Sequence, residues 1–248
     1  MSDTATSGFI GHLIELRDRL IRALASILVI FVALIYFAND IYAFVANPLV
    51  LSLPENSTMI ATDVTAPFFA PFKLTLFISL FLAFPFILHQ VWGFLAPGLY
   101  KHEKRMLMPI LLSSIVLFYA GIAFCYYVVM PIILGFLTAA GPSMMTLSPD
   151  ISSYLAFILK LFFAFGVAFE IPVAIMLLCW SGVATTQGLK EKRPYIVVGA
   201  FVVAMFLTPP DVLSQTLLAL PMLLLFEIGI ILAGIYSKKS QQQEINNE

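Results

Sequence analysis

The chain has 248 residues, of which 61% are apolar and only 11% are charged, and its mean hydropathy is +1.00. Soluble domains carry about a quarter charged residues, so this chain has too few charges to cover a surface that faces water. Its net charge of −1 gives no electrostatic reason to expect a nucleic-acid partner. The composition therefore predicts an integral membrane protein.

Apolar segments recur along the chain at lengths suited to crossing a bilayer, which takes roughly twenty residues of helix. We predict six spans, at 21–38, 72–95, 108–130, 154–180, 195–207 and 213–234. Thr208-Pro209-Pro210-Asp211 separates the last two, and because two prolines cannot continue a helix it predicts a tight turn. The expected fold is all-α, with residues 1–236 as a single six-helix transmembrane domain whose fifth and sixth helices are short. Residues 237–248 are expected to form a disordered cytoplasmic tail.

Prolines also fall inside the predicted spans. Pro85, Pro172 and Pro221 lie in spans two, four and six. A proline within a helix removes a backbone hydrogen bond and bends the axis. We therefore expect kinked helices that together form a concave structure.

The basic residues orient the predicted spans, because lysine and arginine accumulate in cytoplasmic loops. Of the thirteen lysines and arginines, Lys73 lies at the mouth of span two and Lys160 inside span four. The other eleven precede span one, follow span six, or lie between spans two and three and spans four and five: Arg17, Arg19, Arg22, Lys101, Lys104, Arg105, Lys190, Lys192, Arg193, Lys238 and Lys239. This asymmetry predicts that both termini are cytoplasmic.

Residues for catalysis or metal binding are scarce. The three histidines, His12, His89 and His102, share no metal-ligand spacing, and Cys125 and Cys179 lie in apolar runs without such spacing. No nucleophile motif and no glycine-rich phosphate loop occurs in the sequence. We expect neither an enzyme nor a bound cofactor or metal.

Glu170 is a carboxylate in a place where carboxylates are costly. It lies within span four, about ten residues or 15 Å of helix from Lys160, too far for a direct pair. A charge at this depth costs at least a few kcal/mol unless it faces a bundle interior or water. One interpretation is a hydrogen bond between helices, with the acid protonated; the other is a polar functional site on a concave face.

Two further acids lie at the predicted cytoplasmic interface. Glu15 and Glu103 are each surrounded by basic residues. The simplest interpretation is a solvated salt bridge for each, with Glu15 paired to Arg19 four residues later on the helix. Asp211 similarly suits turn chemistry, and Gln215 suits a cap or a hydrogen bond between helices.

Three long motifs change this interpretation. They stand before span one, around the end of span two, and from the last turn into span six: His12-Leu13-Ile14-Glu15-Leu16-Arg17-Asp18-Arg19-Leu20; Phe84-Pro85-Phe86 with Phe94-Leu95-Ala96-Pro97-Gly98-Leu99-Tyr100-Lys101-His102-Glu103-Lys104; and Thr208-Pro209-Pro210-Asp211 with Ser214-Gln215, Leu218-Ala219, Pro221 and Phe226-Glu227. Together they resemble the signatures of the TatC family, the core component of the twin-arginine protein translocase. The resemblance covers nearly the whole chain, with Phe226 where the family pattern has tyrosine.

The resemblance implies a receptor for twin-arginine signal peptides in a bacterial inner membrane. Glu15 and Glu103 would receive the paired arginines, and Arg17 and Lys101 would hold these acids when no substrate is bound. The implied binding residues are Glu15, Arg17, Leu20, Phe94, Pro97, Leu99, Tyr100, Lys101 and Glu103, and Glu170 would be a polar site within the membrane. Single-span TatA and TatB partners would dock at Met205, Asp211, Gln215, Phe226 and Glu227. Export of folded proteins would use the proton-motive force, in a complex that contains membrane lipid and several copies of the chain.

Two other functions fit the composition less well. A small-solute transporter would use Glu170 and Lys160 as a coupling site and would show inverted repeats, which the sequence lacks. An intramembrane enzyme would need a nucleophile with its base, or a metal set. The receptor is the function that the sequence favours.

Overall fold

A computed structural model describes residues 3–52, 59–95, 107–139, 148–207 and 212–245, and these are almost entirely helical. A 3₁₀ turn (Ile35–Phe37) joins the first two helices, and a π-helical turn (Cys125–Val129) joins the fourth and fifth. The α-helices are α1 Asp3–Leu34, α2 Ala38–Ser52, α3 Ala66–Leu95, α4 Leu107–Phe124, α5 Met130–Ala139, α6 Ile151–Ala168, α7 Ile171–Trp180, α8 Thr186–Glu191, α9 Arg193–Leu207 and α10 Val212–Ile245. The all-α prediction is confirmed.

Within the described ranges, five helical stretches are long and apolar enough to cross a membrane. They are Leu13–Pro48, Ala66–Val91, Met108–Phe136, Ile151–Trp180 and Gln215–Ile235. α9 is a shorter apolar helix of 15 residues and coincides with the predicted short fifth span. The chain is therefore a multi-pass membrane protein.

The helices differ from the predicted spans at the start of α1, at the end of α10 and within span four. α1 begins at Asp3, so the charged segment before span one belongs to the same helix as the span. α10 has 34 residues and continues to Ile245, so the prediction of a short sixth helix is wrong. Once a helix is nucleated, each further residue adds one hydrogen bond, so glutamine, lysine and glutamate extend it readily. Span four is divided at Phe169 and Glu170, whereas α3 and α10 remain helical through Pro85 and Pro221.

Two compact units divide the described residues. The first contains α1, α2 as far as Asn47, α3, the beginning of α4 to Ile115, and Pro149–Leu155. In this unit α1 packs along α3, and the rings of Phe31 and Phe72 meet edge to face at 4.9 Å. The buried hydroxyls of Thr75 and Ser79 donate to the carbonyls of Pro71 and Thr75 at 2.8 and 2.7 Å. A membrane helix can thus bury hydroxyl groups because its own backbone satisfies them.

A hydrogen-bonded clasp joins the segment before α3 to the segment before α6. Ile60 donates its amide to the Pro149 carbonyl at 3.0 Å and accepts from the Ile151 amide at 2.9 Å. Asp150 Oδ1 accepts from the amide and the hydroxyl of Thr62 at 3.1 and 2.8 Å, and Oδ2 accepts from the Ser153 amide at 2.9 Å. These bonds from Ser153 and Thr62 hold the pKa of the Asp150 carboxyl well below its usual range.

The second unit contains the rest of α4, the π turn, α5, α6 from Ala156 onward, and α7 to α10. Glycines allow its helices to approach closely. A Cβ on Gly121 of α4 would lie 2.5 Å from the Phe165 carbonyl oxygen of α6, and a Cβ on Gly229 of α10 would lie 2.8 Å from the Ile175 side chain of α7. Small residues at such crossings are how membrane helices gain dispersion contacts.

We expect Gly121→Ala to destabilise the second unit. The new methyl group would meet backbone, which cannot move aside as a flexible side chain can, and overpacking of this kind costs about 1–3 kcal/mol. The measurement is the thermal unfolding midpoint of the purified protein in detergent. Gly135→Ala in α5 is the matched control because nothing lies within 4 Å of its Cβ position. Equal midpoints for the two variants would contradict the close packing at Gly121.

We also expect the clasp to depend on the charge of Asp150. Because the folded pKa is lowered, the stabilisation is fully present above the unfolded pKa of about 3.9 and is lost as the pH falls through the folded value. Asp150→Asn should speed hydrogen exchange at the Ile60 and Ile151 amides at pH 7. Comparison at each pH should show the difference shrinking only well below pH 4. A difference that vanishes by pH 5 would contradict the lowered pKa.

Candidate functional site

The charged segment of α1 forms one side of a depression of about 340 Å³. Spacings of three and four residues place its members on one face of the helix. Those that line it are Gly11, Ile14, Glu15, Asp18, Arg19 and Arg22. The depression thus contains two acids and two arginines.

Glu15 and Arg19 form a forked ion pair within α1. Arg19 donates from Nε at 3.0 Å and from Nη2 at 2.6 Å, both to Glu15 Oε1. Their side chains are 22% (Arg19) and 37% (Glu15) exposed, so the pair is only partly solvated. The i,i+4 salt bridge that the sequence suggested is present, and it is less open to water than a surface pair.

Arg19 also contacts α3, which fixes the position of its guanidinium. Nη1 donates to the Gln90 carbonyl at 3.3 Å. A Cβ on Gly93 would lie 2.2 Å from the same Nη1, so the absence of a side chain there leaves the room that Arg19 occupies. Gln90 itself is 7% exposed, and its side-chain Oε1 is buried with no hydrogen-bond partner in the part of the chain that the structure describes. Sequence reasoning missed Gln90 and Gly93, because they lie more than seventy residues from Arg19 along the chain.

Arg17 pairs with its neighbour in the sequence. Its Nε and Nη2 donate to Asp18 Oδ1 at 2.9 and 2.7 Å, and its side chain is 66% exposed. Its predicted role beside the two acids stays a prediction. Leu20 is 58% exposed on α1, and Phe94 is half-buried near the end of α3.

Several predicted site residues fall outside the described part of the chain. They are Pro97, Leu99, Tyr100, Lys101 and Glu103, which follow α3 in the sequence, and Asp211, which precedes α10. Their roles stay predictions.

Glu170 lies at the break between α6 and α7, within the apolar stretch Ile151–Trp180. Its amide donates to the Val167 carbonyl at 3.0 Å, and its carbonyl accepts from the Ala174 amide at 2.9 Å. Its side chain is half-buried. The break follows from Pro172, which suits the first turn of α7 because it has no amide hydrogen to donate.

The predicted docking residues of α9 and α10 face different surroundings. Met205 is 50% exposed, and Gln215 is half-buried near the start of α10. Glu227 Oε2 accepts from Arg193 Nη2 at 2.5 Å. Phe226 is 5% exposed and packs with Ile175, Ile230 and Ala233, so its ring belongs to the core of the second unit.

The arrangement is suited to binding cations at an interface. The described residues contain no cluster of three His, Cys, Asp or Glu side chains that could hold a metal ion. The depression on α1 instead presents a carboxylate that already accepts a guanidinium fork. Charge-assisted bonds of this kind are about twice as strong as neutral ones and favour arginine over lysine.

Comparisons with known proteins identify the family. The family model for "Sec-independent protein translocase protein (TatC)" matches residues 11–221. The protein of that name from Escherichia coli (strain K12) is 56% identical over 244 residues, covering 98% of this chain and 95% of its own length. The one from Azotobacter chroococcum mcd 1 is 62% identical over 221 residues, covering 89% and 87%. A crystal structure of the twin arginine translocase receptor TatC matches with a TM-score of 0.81 at 40% identity, covering 91% of this chain and 99% of that one. The chain therefore belongs to the TatC family: it is a multi-pass membrane protein of the Sec-independent, twin-arginine translocase, and not an enzyme.

Proposed function

We propose that the chain is the twin-arginine signal-peptide receptor of its translocase and the platform on which the translocase assembles. The observation that carries the proposal is the partly buried Glu15 carboxylate, which already accepts two N–H groups from a guanidinium. A signal peptide with two consecutive arginines presents the same donor group.

The selectivity for arginine follows from the geometry of the donors. A guanidinium presents five N–H groups in a rigid plane, whereas a lysine ammonium is a point charge that cannot form a fork. A partly dry site strengthens each charged pair, because the effective dielectric is lower than in water. Glu103 supplies the second carboxylate in this proposal, with Lys101 beside it. Leu20 and Phe94 offer apolar contacts to the peptide near Glu15.

The site lies on the cytoplasmic side in this proposal. Both termini and the basic loops are cytoplasmic, and the membrane is the inner membrane of a bacterium. The eleven basic residues on one side of the predicted topology support this orientation.

Partner binding is proposed for the last two helices. α9 exposes Met205 and Phe206, and Gln215 offers an amide within an otherwise apolar surface. Single-span TatA and TatB proteins would pack here, beside Asp211 and Glu227, and the proton-motive force would drive the export that follows. Because the Phe226 ring is buried, its part is to support α10 against α7 rather than to touch a partner.

Substitution of the two acids tests the receptor site. Loss of one member of a desolvated charged pair costs on the order of 2–5 kcal/mol, so Glu103→Ala should abolish crosslinking of a twin-arginine signal peptide. Glu15→Ala should weaken crosslinking about tenfold, since its side chain is 37% exposed and the pair is partly screened. Replacing the peptide arginines by lysine should weaken it as well.

Lys190→Gln is the matched control, because it removes one charge from the predicted cytoplasmic side at α8. Its crosslinking should equal that of the unaltered chain. Undiminished crosslinking to Glu103→Ala would return both acids to solvated salt bridges and would contradict the receptor proposal.

Glu170 is proposed to act after the signal peptide has docked. A carboxylate at a helix break within the membrane is costly unless a polar surface uses it. Glu170→Ala should therefore reduce export of a folded twin-arginine substrate severalfold, while signal-peptide crosslinking in the same membranes stays intact. Glu170→Gln distinguishes the roles: retained export indicates a hydrogen bond, and lost export indicates a need for the charge. Full export by Glu170→Ala would show that the carboxylate has only a structural role.

A further inference from the structure

We infer that Arg19 is a resident competitor of the substrate: it occupies Glu15 in the absence of a signal peptide and must release it before a substrate arginine can bind. This inference rests on the proposed receptor function. In this inference, Arg19 determines how tightly a peptide must bind Glu15 in order to replace it.

The geometry of the pair is the first reason. Arg19 directs both Nε and Nη2 at the same oxygen, Oε1 of Glu15. A substrate guanidinium that forms a fork across a carboxylate needs both oxygens. Arg19 and a substrate arginine are therefore alternative donors to Glu15 Oε1.

The contacts that hold the Arg19 side chain are the second reason. An exposed arginine samples many rotamers, but the Arg19 side chain is only 22% exposed and its guanidinium also donates to the Gln90 carbonyl on α3. Its Nη1 fills the space that Gly93 leaves by having no side chain. Contacts to a second helix reduce the entropy lost on pairing, because the side chain is already ordered. The pair between Arg19 and Glu15 is therefore populated enough to compete with a substrate arginine.

Gln90 provides a place for Arg19 once it is displaced. Among the described residues its buried Oε1 has no hydrogen-bond partner, and its backbone carbonyl already accepts Arg19 Nη1. A buried acceptor without a partner is unfavourable, because it has lost its hydrogen bonds to water. A guanidinium that turns from Glu15 toward this oxygen would replace one of those bonds, so release of Glu15 leaves Arg19 hydrogen-bonded.

The opposite role for Arg19 would be to position Glu15 for the substrate. The two roles predict effects of opposite sign. If Arg19 positions Glu15, its removal weakens peptide binding. If Arg19 competes, its removal raises the fraction of sites that are free to bind, and the apparent dissociation constant falls by the same factor for every peptide.

The experiment measures binding of two fluorescent signal peptides, one with Arg-Arg and one with Lys-Lys, to the full-length chain in nanodiscs by anisotropy. Three variants test Arg19 in different ways. Arg19→Gln removes the guanidinium. Arg19→Lys keeps the positive charge but cannot donate two hydrogen bonds to Glu15. Gly93→Ala keeps arginine at position 19 but puts a methyl group where its guanidinium lies. The last two keep the net charge, so they separate competition from simple repulsion of a cationic peptide.

We expect Arg19→Gln and Gly93→Ala to bind both peptides about two- to fivefold more tightly, the range typical of a partly exposed pair, and Arg19→Lys to gain less. Weaker or unchanged binding by Gly93→Ala and Arg19→Lys would overturn the inference, and so would a gain confined to one peptide. The receptor proposal has a separate criterion. If the unaltered chain does not prefer Arg-Arg, and Glu15→Gln binds equally well, that proposal fails and the inference fails with it.

Discussion

The structure depends on one constraint: hydrocarbon offers no hydrogen bonds, so the chain must satisfy its own backbone. Helices do this within a single segment, and for that reason the described residues are almost entirely helical. The constraint extends to side chains. Thr75 and Ser79 are completely buried, and each donates to a carbonyl one turn earlier in its own helix. The break within the apolar stretch Ile151–Trp180, at Phe169 and Glu170, continues the backbone bonding on both sides, since Phe169 donates to Phe165 and Ala174 donates to Glu170.

The same constraint gathers charge where water or a partner charge is available. Asp150 lies just before α6 and binds amides and a hydroxyl, Glu15 lies in the first half of α1 and binds Arg19, and Glu227 binds Arg193. Each of these acids has identified hydrogen-bond donors although its side chain stays partly exposed. A carboxylate that already has hydrogen-bond donors binds cations less readily, because an incoming group has to match or replace those donors. Such a carboxylate therefore selects for donor geometry.

Sequence alone predicted what depends on composition along the chain. Apolar length indicated the five long apolar stretches and the short α9, since hydropathy is a local property. The expected interruption near Pro172 is present, whereas Pro85 and Pro221 lie inside helices that continue through them. The i,i+4 pair of Glu15 and Arg19 is also local and was foreseen. The contacts of Arg19 with Gln90 and Gly93 were not predicted, because they form only when α1 packs on α3. Nor was the length of α10, because polar residues beyond the membrane carry no apolar period although they propagate a helix well.

The pair between Arg193 and Glu227 lies beside the short helix α9. Arg193 is the first residue of α9, and Glu227 lies well inside the apolar stretch Gln215–Ile235 of α10. Charged side chains within an apolar stretch are costly unless they are paired or meet water or headgroups, and these two side chains pair with each other. From Arg193 to the end of α9 is 15 residues, about 22 Å of helix, against roughly 30 Å for ordinary hydrocarbon. An ordinary bilayer that meets α9 therefore has to thin locally, unless another helix covers this face.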